Sequence, residues 1–81
     1  MWFVYLLVST VDGFHYIGYT ANIKQRLIEH NSGKTKSLRH RLPVKIIYFE
    51  AYANKSCATK REYELKHNSF KRKELLDRFK N

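Results

Sequence analysis

Five polar side chains in this sequence could together handle a phosphate ester: Tyr5, Tyr16, Arg26, His30 and Glu62. In phosphodiester hydrolysis the attacking water must lose a proton. A tyrosine, with a pKa of ~10, accepts one poorly by itself, but a neighbouring histidine can take or relay it. Negative charge builds on the phosphoryl group in flight, and a guanidinium meets that charge with fixed, two-pronged hydrogen bonds. A carboxylate, with water and substrate oxygens, could hold a hard divalent ion that stabilises the leaving oxygen.

The elements around these residues decide whether they can meet. Tyr5 lies in Trp2-Phe3-Val4-Tyr5-Leu6-Leu7-Val8, an almost unbroken apolar run rich in aromatic and branched side chains. That pattern predicts a strand over residues 2–9, covered on both faces and therefore central. Asp12-Gly13 supplies a turn, and Phe14–Thr20 returns as the second strand of a hairpin. A loop of two or four residues puts Tyr5 and Tyr16 on one face, whereas three or five would separate them. In the four-residue register Gly18 lies opposite Tyr5, with Tyr16 as its diagonal neighbour, and the glycine leaves room for a phenol ring.

Asn22 is a good N-cap for a helix ending near Asn31, before Ser32-Gly33. Ile23, Leu27 and Ile28 are expected to form its buried stripe, with Arg26 and His30 one turn apart on the rim. Residues 33–42 read as a mobile basic loop, followed by a third strand from Val44 to Tyr52. A second main helix is expected over about 55–67, with Ala58, Glu62 and Leu65 on one inward stripe and Glu64 exposed. A carboxylate on an inward stripe needs a partner, a metal or a function. The ordinary explanation of Glu62 is an i,i+4 pair with Lys66, which would contribute a few tenths of a kcal/mol. Beyond Asn68-Ser69, a short basic helix is expected to pack through Phe70, Leu75, Leu76 and Phe79.

Eighty-one residues allow one domain, spanning 1–81, with a modest core. A net charge of +9 favours a polyanionic partner, nucleic acid first. A membrane surface is disfavoured because no helix is basic on one face and cleanly apolar on the other. Lys24, Lys34, Lys36, Arg39 and Arg41 are candidates for a sequence-independent grip on a phosphate backbone. Cys57 is the only cysteine, which excludes a disulfide and a cysteine-based zinc site; it reads as a buried or half-buried helix residue. His15, His40 and His67 have no metal-ligand spacing and read as surface groups. The opening apolar run has no basic leader and falls far short of the ~20 residues needed to span a bilayer, so a cytoplasmic protein is expected.

Phe3-Val4-Tyr5, Tyr16-Ile17-Gly18, Arg26 and His30 on the next helix, and Glu62 within Ala58–Lys66 resemble the GIY-YIG nuclease module. The likeness covers about residues 2–79 and is greatest to small stand-alone bacterial members of that superfamily. It implies an α+β fold, a three-stranded antiparallel sheet flanked by about three helices. It also implies DNA hydrolysis with a single Mg²⁺ or Mn²⁺. The family's water-activating tyrosines carry onto Tyr5 and Tyr16, its phosphate-stabilising arginine onto Arg26, its tyrosine-coupled histidine onto His30, and its metal-binding glutamate onto Glu62. Two features depart from the pattern. The first motif keeps only its tyrosine, and the asparagine about a dozen residues after the glutamate has no match, Asn68 lying too early. No clamp domain is visible, which leaves targeting to a protein partner. Two functions follow: a metal-dependent endonuclease acting on structured or damaged DNA, or a non-catalytic nucleic-acid-binding or adaptor module on the same fold.

Overall fold

The computed structural model describes residues 1–80. Strands β1 (Trp2–Ser9) and β2 (His15–Thr20) form the hairpin, and β3 (Val44–Tyr52) pairs on the other side of β1. All pairings are antiparallel and the order is β2-β1-β3, so the most apolar strand is the central one. Helix α1 (Ile23–Asn31) follows the hairpin, α2 (Lys55–His67) follows β3, and α3 (Ser69–Asp77) ends the element order. Among the described residues, no helix is long and apolar enough to cross a membrane.

Alternation along β1 divides the core in two. Val4 and Leu6 face Ala58, Leu65 and Leu75 from α2 and α3. Tyr5 and Leu7 face the other way, towards Leu38, Val44 and Leu27. The third strand does not keep a simple alternation. Leu6 pairs with Tyr48 but Leu7 pairs with Ile46, so Ile47 is an extra residue in a β-bulge. The bulge turns Tyr48, Glu50 and Tyr52 onto the α2 side of the sheet, whereas Val44 and Ile46 stay on the α1 side.

Each long helix starts where an asparagine can satisfy orphan amides. Asn22, Asn54 and Asn68 accept from the backbone N–H groups of Gln25, Cys57 and Lys71. Asn68 is thus spent as a cap between α2 and α3. At its far end α1 is pinned to β3 by Asn31, whose amide donates to Val44 O at 3.0 Å and accepts from Val44 N at 2.8 Å.

Four expectations are corrected. Residues 33–42 are not a bare surface loop: they hold a short 3-10 turn, Lys36–Leu38, and Leu38 is buried in the core. Ile28 is exposed, because the inward face of α1 is set by Leu27 and His30. Phe70 is exposed, and α3 packs through Leu75 and Leu76, with Phe79 set edge-on against Tyr48. Cys57 is exposed at the first turn of α2.

Candidate active site

The hairpin turn contains four residues, because Ser9 N donates to Phe14 O and Val8 pairs with His15. That register places Gly18 opposite Tyr5. A Cβ at Gly18 would lie 2.6 Å from Tyr5 Cζ and 3.2 Å from Tyr16 Cε1. Only glycine therefore lets the Tyr5 ring cross the backbone of β2. The ring is buried, and its hydroxyl lies 2.8 Å from His30 Nε2.

His30 is more enclosed than its helical position suggests. It is 2% exposed, with Tyr16 edge-on to its ring at 5.3 Å between centroids. Its Nδ1 lies 2.5 Å from Thr35 Oγ1. The rim position expected for it beside Arg26 is therefore wrong. His30 turns under Tyr5, whereas the Arg26 side chain is 45% exposed and pairs with Glu29 at 3.3 Å. The two are separated by about 40° around the helix at ~100° per residue, enough to put one in the core and the other at its mouth.

Burial pushes the Tyr5 hydroxyl well above the usual phenol range; Tyr16 and Glu62 add to this and Arg26 opposes it. His30 moves below its ordinary 6.5, through burial first and the Arg26 charge second, with Glu29 opposing. Near neutral pH the pair is a neutral phenol hydrogen-bonded to a neutral imidazole.

Tyr5, Tyr16, Gly18, Arg26 and Glu62 line one open cleft of about 400 Å³ at the β2 edge of the sheet. His30 does not line it but sits behind Tyr5. Glu62 reaches the cleft because α2 packs beside β2, an edge strand, and passes its carboxylate around that edge. The Glu62 side chain is 18% exposed, and its ion pair is with Lys66 at 3.4 Å. The ordinary i,i+4 pair foreseen in the sequence is thus present, and of its two members Glu62 lines the cleft. Among the described residues, no group of three or more His, Cys, Asp or Glu side chains could hold a metal ion. A lone carboxylate does not suit zinc, but it fits a hard divalent ion that keeps water and takes substrate phosphate oxygens as its remaining ligands.

The basic residues singled out in the sequence stand apart from this cleft. Lys36 and Arg41 line a separate cavity of about 620 Å³ by the hairpin turn, with Asp12, Ser37 and His40. Arg41 is already engaged, paired with Asp12 at 2.6 Å and lying 3.9 Å over the Phe14 ring. Arg39 donates to Gly33 O at 2.7 Å, and Lys24 and Lys34 are exposed. The cations at the cleft are Arg26 and Lys55, while Lys66 and Arg72 line an adjoining depression. Sequence reasoning missed Thr35, Lys55 and Arg72. The lone Leu38 in a basic stretch was the available sign that the Thr35 segment is anchored; nothing marked Lys55 or Arg72 among sixteen lysines and arginines.

A hairpin that sets two tyrosines around a glycine, followed by a helix carrying an arginine and a buried histidine, defines a class of nuclease domain. Residues 1–74 match the GIY-YIG catalytic domain, and the chain belongs to that family. Such domains support an endonuclease-type activity on nucleic acid and generally use a divalent metal. Within the family, the chain is similar to UPF0213 proteins. One from Staphylococcus epidermidis is 48% identical over 65 residues, which cover 79% of this chain and 78% of the relative. Another, from Natronomonas pharaonis, is 41% identical over 75 residues, 91% of this chain and 87% of the relative. The solution NMR structure of a UPF0213 protein from Bacillus halodurans shares 39% identity at a TM-score of 0.57, covering 99% of this chain and 86% of that one.

Proposed function

We propose that the cleft hydrolyses phosphodiesters of DNA, acting on structured or damaged duplex, with one Mg²⁺ or Mn²⁺ held by Glu62. The observation that carries this reading is the Tyr5–His30–Thr35 chain, buried at Tyr5 and His30, which ends at a cleft that Arg26 and Glu62 share. When Nδ1–H of His30 donates to Thr35 Oγ1, Nε2 is free to accept the Tyr5 O–H. Tyr5 then keeps its oxygen lone pairs for a water in the cleft. As that water attacks phosphorus, its proton passes to Tyr5 Oη and the Tyr5 proton passes to His30 Nε2. The raised phenol pKa suits this relay, since Tyr5 never has to persist as phenolate. Arg26 stands at the cleft mouth, where its guanidinium would meet the charge that builds on the phosphoryl oxygens. Tyr16 walls the site and orients the water. The divalent ion, when bound, supplies Lewis-acid stabilisation of the leaving oxygen.

The domain comprising residues 1–81 would act with a protein partner that supplies targeting, and Lys24, Lys34, Lys36, Arg39 and Arg41 would add a diffuse, salt-sensitive grip on the duplex. Supercoiled plasmid, branched DNA and single-stranded RNA should be incubated with Mg²⁺ or Mn²⁺ and either the parent or Arg26→Ala. DNA nicking that needs metal, falls by about a hundredfold or more in the variant, and leaves DNA retention intact is the expected result. Retention of DNA without cleavage under either metal would make the protein a binding or adaptor module. No affinity for any nucleic acid at low salt would remove both readings.

A further inference from the structure

Lys66 stands between two cavities. On one side its ammonium lies 3.4 Å from Glu62 Oε2, in the wall of the candidate active site. On the other it lines a depression of about 410 Å³ between β2, α2 and α3, together with His15, Tyr16 and Arg72. Tyr16 borders both cavities, and the Lys66 ammonium lies 5.6 Å from the centre of its ring. Among the described residues, no carboxylate lines this depression: buried Ile17 and half-buried Leu76 give it an apolar floor, and the exposed Phe14, His15, Lys66 and Arg72 surround it. Arg72 is held there by a hydrogen bond from Nη1 to the Lys66 carbonyl at 3.0 Å. An apolar floor with two cations above it suits a sugar-phosphate, with the sugar below and the phosphate oxygens at the rim.

We propose that this depression is a second phosphate subsite. It takes a neighbouring phosphodiester of the strand whose scissile phosphate lies in the cleft. Its occupation draws Lys66 off Glu62 and opens that carboxylate to the divalent ion. Lys66 is suited to such a transfer. Its side chain is 40% exposed on a flexible four-carbon stem, and its pair with Glu62 is long and weak. While Lys66 neutralises Glu62, an ion arriving without substrate meets the repulsion of an ammonium 3.4 Å from that carboxylate. Once a phosphate beside Arg72 competes for that ammonium, the obstacle is lifted. Strand and metal would therefore bind with positive coupling, and the coupling must be reciprocal. This inference rests on the metal-dependent nuclease reading of the cleft.

The test is a Mn²⁺ titration read by paramagnetic broadening of the Glu62 amide in NMR spectra. It is run alone, with a short hydrolysis-resistant phosphorothioate duplex, and with inorganic phosphate. In the parent the duplex should lower the Mn²⁺ midpoint by about fivefold or more. Lys66→Gln should lower the midpoint without duplex, and the further effect of the duplex should shrink. Arg72→Gln should leave the duplex-free midpoint unchanged and also weaken the duplex effect. Lys73→Gln, which removes an exposed α3 lysine paired with Asp77, should behave like the parent. A duplex effect as large in Lys66→Gln and Arg72→Gln as in the parent would overturn the proposal while leaving Mn²⁺ at Glu62 and the nuclease reading intact. Inorganic phosphate reproducing the whole effect would overturn the assignment to a strand phosphate. No broadening at Glu62 under any condition would remove both the proposal and the metal reading beneath it.

Discussion

Two glutamates with almost the same exposure behave in opposite ways. The side chain of Glu50 is 17% exposed and that of Glu62 is 18% exposed. Glu50 accepts from Arg61 Nε at 2.8 Å and Nη2 at 3.0 Å, and from the hydroxyls of Tyr48 at 2.5 Å and Tyr52 at 2.6 Å. Both of its oxygens are saturated. Burial pushes its carboxyl up, but the bonds from Arg61 and the two tyrosines overcome this and hold it at about 2. Glu62 has one lysine at 3.4 Å and an open cleft in front of it. Burial alone does not separate a structural carboxylate from a functional one. The number of donors already committed to it does.

The two sites are mechanically linked. Arg61 and Glu62 are successive residues of α2, about 100° apart around the helix. Arg61 turns to β3 and Glu62 to the cleft at β2. By fixing one, the Glu50–Arg61 clamp fixes the rotation of α2 and so the direction of the other.

The largest combined effect is expected from Gly18→Ala, which ignores the division between structure and site. The new methyl must displace the buried Tyr5 ring or bend β2. Metal-dependent cleavage should fall by about a hundredfold, and urea unfolding should report a loss of about 2 kcal/mol. A stable, active Gly18→Ala protein would show that Tyr5 need not cross the strand.

Arg61→Ala should act mainly on stability. The pair is neither fully buried nor exposed, so a loss of about 2 kcal/mol is expected, between the values typical of those extremes. Cleavage should change by less than about tenfold, through the loosened rotation of α2. Acid should act on the same clamp in the parent. Unfolded Glu50 takes up its proton near 4.5 and folded Glu50 only near 2, so its contribution is complete above 4.5 and is lost as the pH falls between the two. Urea melts across that interval should show the loss in the parent and much less of it in Arg61→Ala.

The smallest effect concerns the relay. His30 must be neutral to accept the Tyr5 proton, and burial lowers its pKa, so cleavage should rise with pH through a midpoint below 6.5. Thr35→Val removes the group that orders the imidazole and should lower the rate by about tenfold, whereas Thr35→Ser should restore it. A rate still climbing well above 6.5 in the parent would point to a base other than this pair.

Much of this arrangement was legible in the residues. The apolar run of β1 and the Asp12-Gly13 turn marked the hairpin, but its loop length stayed open in the residues; of the registers they allowed, the four-residue turn is the one that sets Gly18 against Tyr5. Asn22 marked the start of α1 and Asn68-Ser69 the break between α2 and α3, whereas the capping bonds of Asn54 and Asn68 emerged only in the structure. What stayed hidden depends on contacts between distant segments. The burial of His30 follows from how α1 rotates against Leu38 and Val44, which its own periodicity did not reveal, since Ile28 looked equally apolar. Thr35 reaches the site because Leu38, three residues later, anchors its segment. The Glu50 clamp depends on the bulge at Ile47; strict alternation would have sent Tyr48, Glu50 and Tyr52 to the face of Val44 and Ile46.

The most direct measurement is nicking of supercoiled plasmid in Mg²⁺ by three proteins held at a temperature where all are folded: parent, Glu50→Gln and Glu62→Gln. The parent should nick, Glu50→Gln should nick within about tenfold of it, and Glu62→Gln should be slower by about a thousandfold while melting like the parent. Nicking by Glu62→Gln at the parent's rate, or selective loss in Glu50→Gln alone, would contradict the assignment of the open carboxylate as the working one.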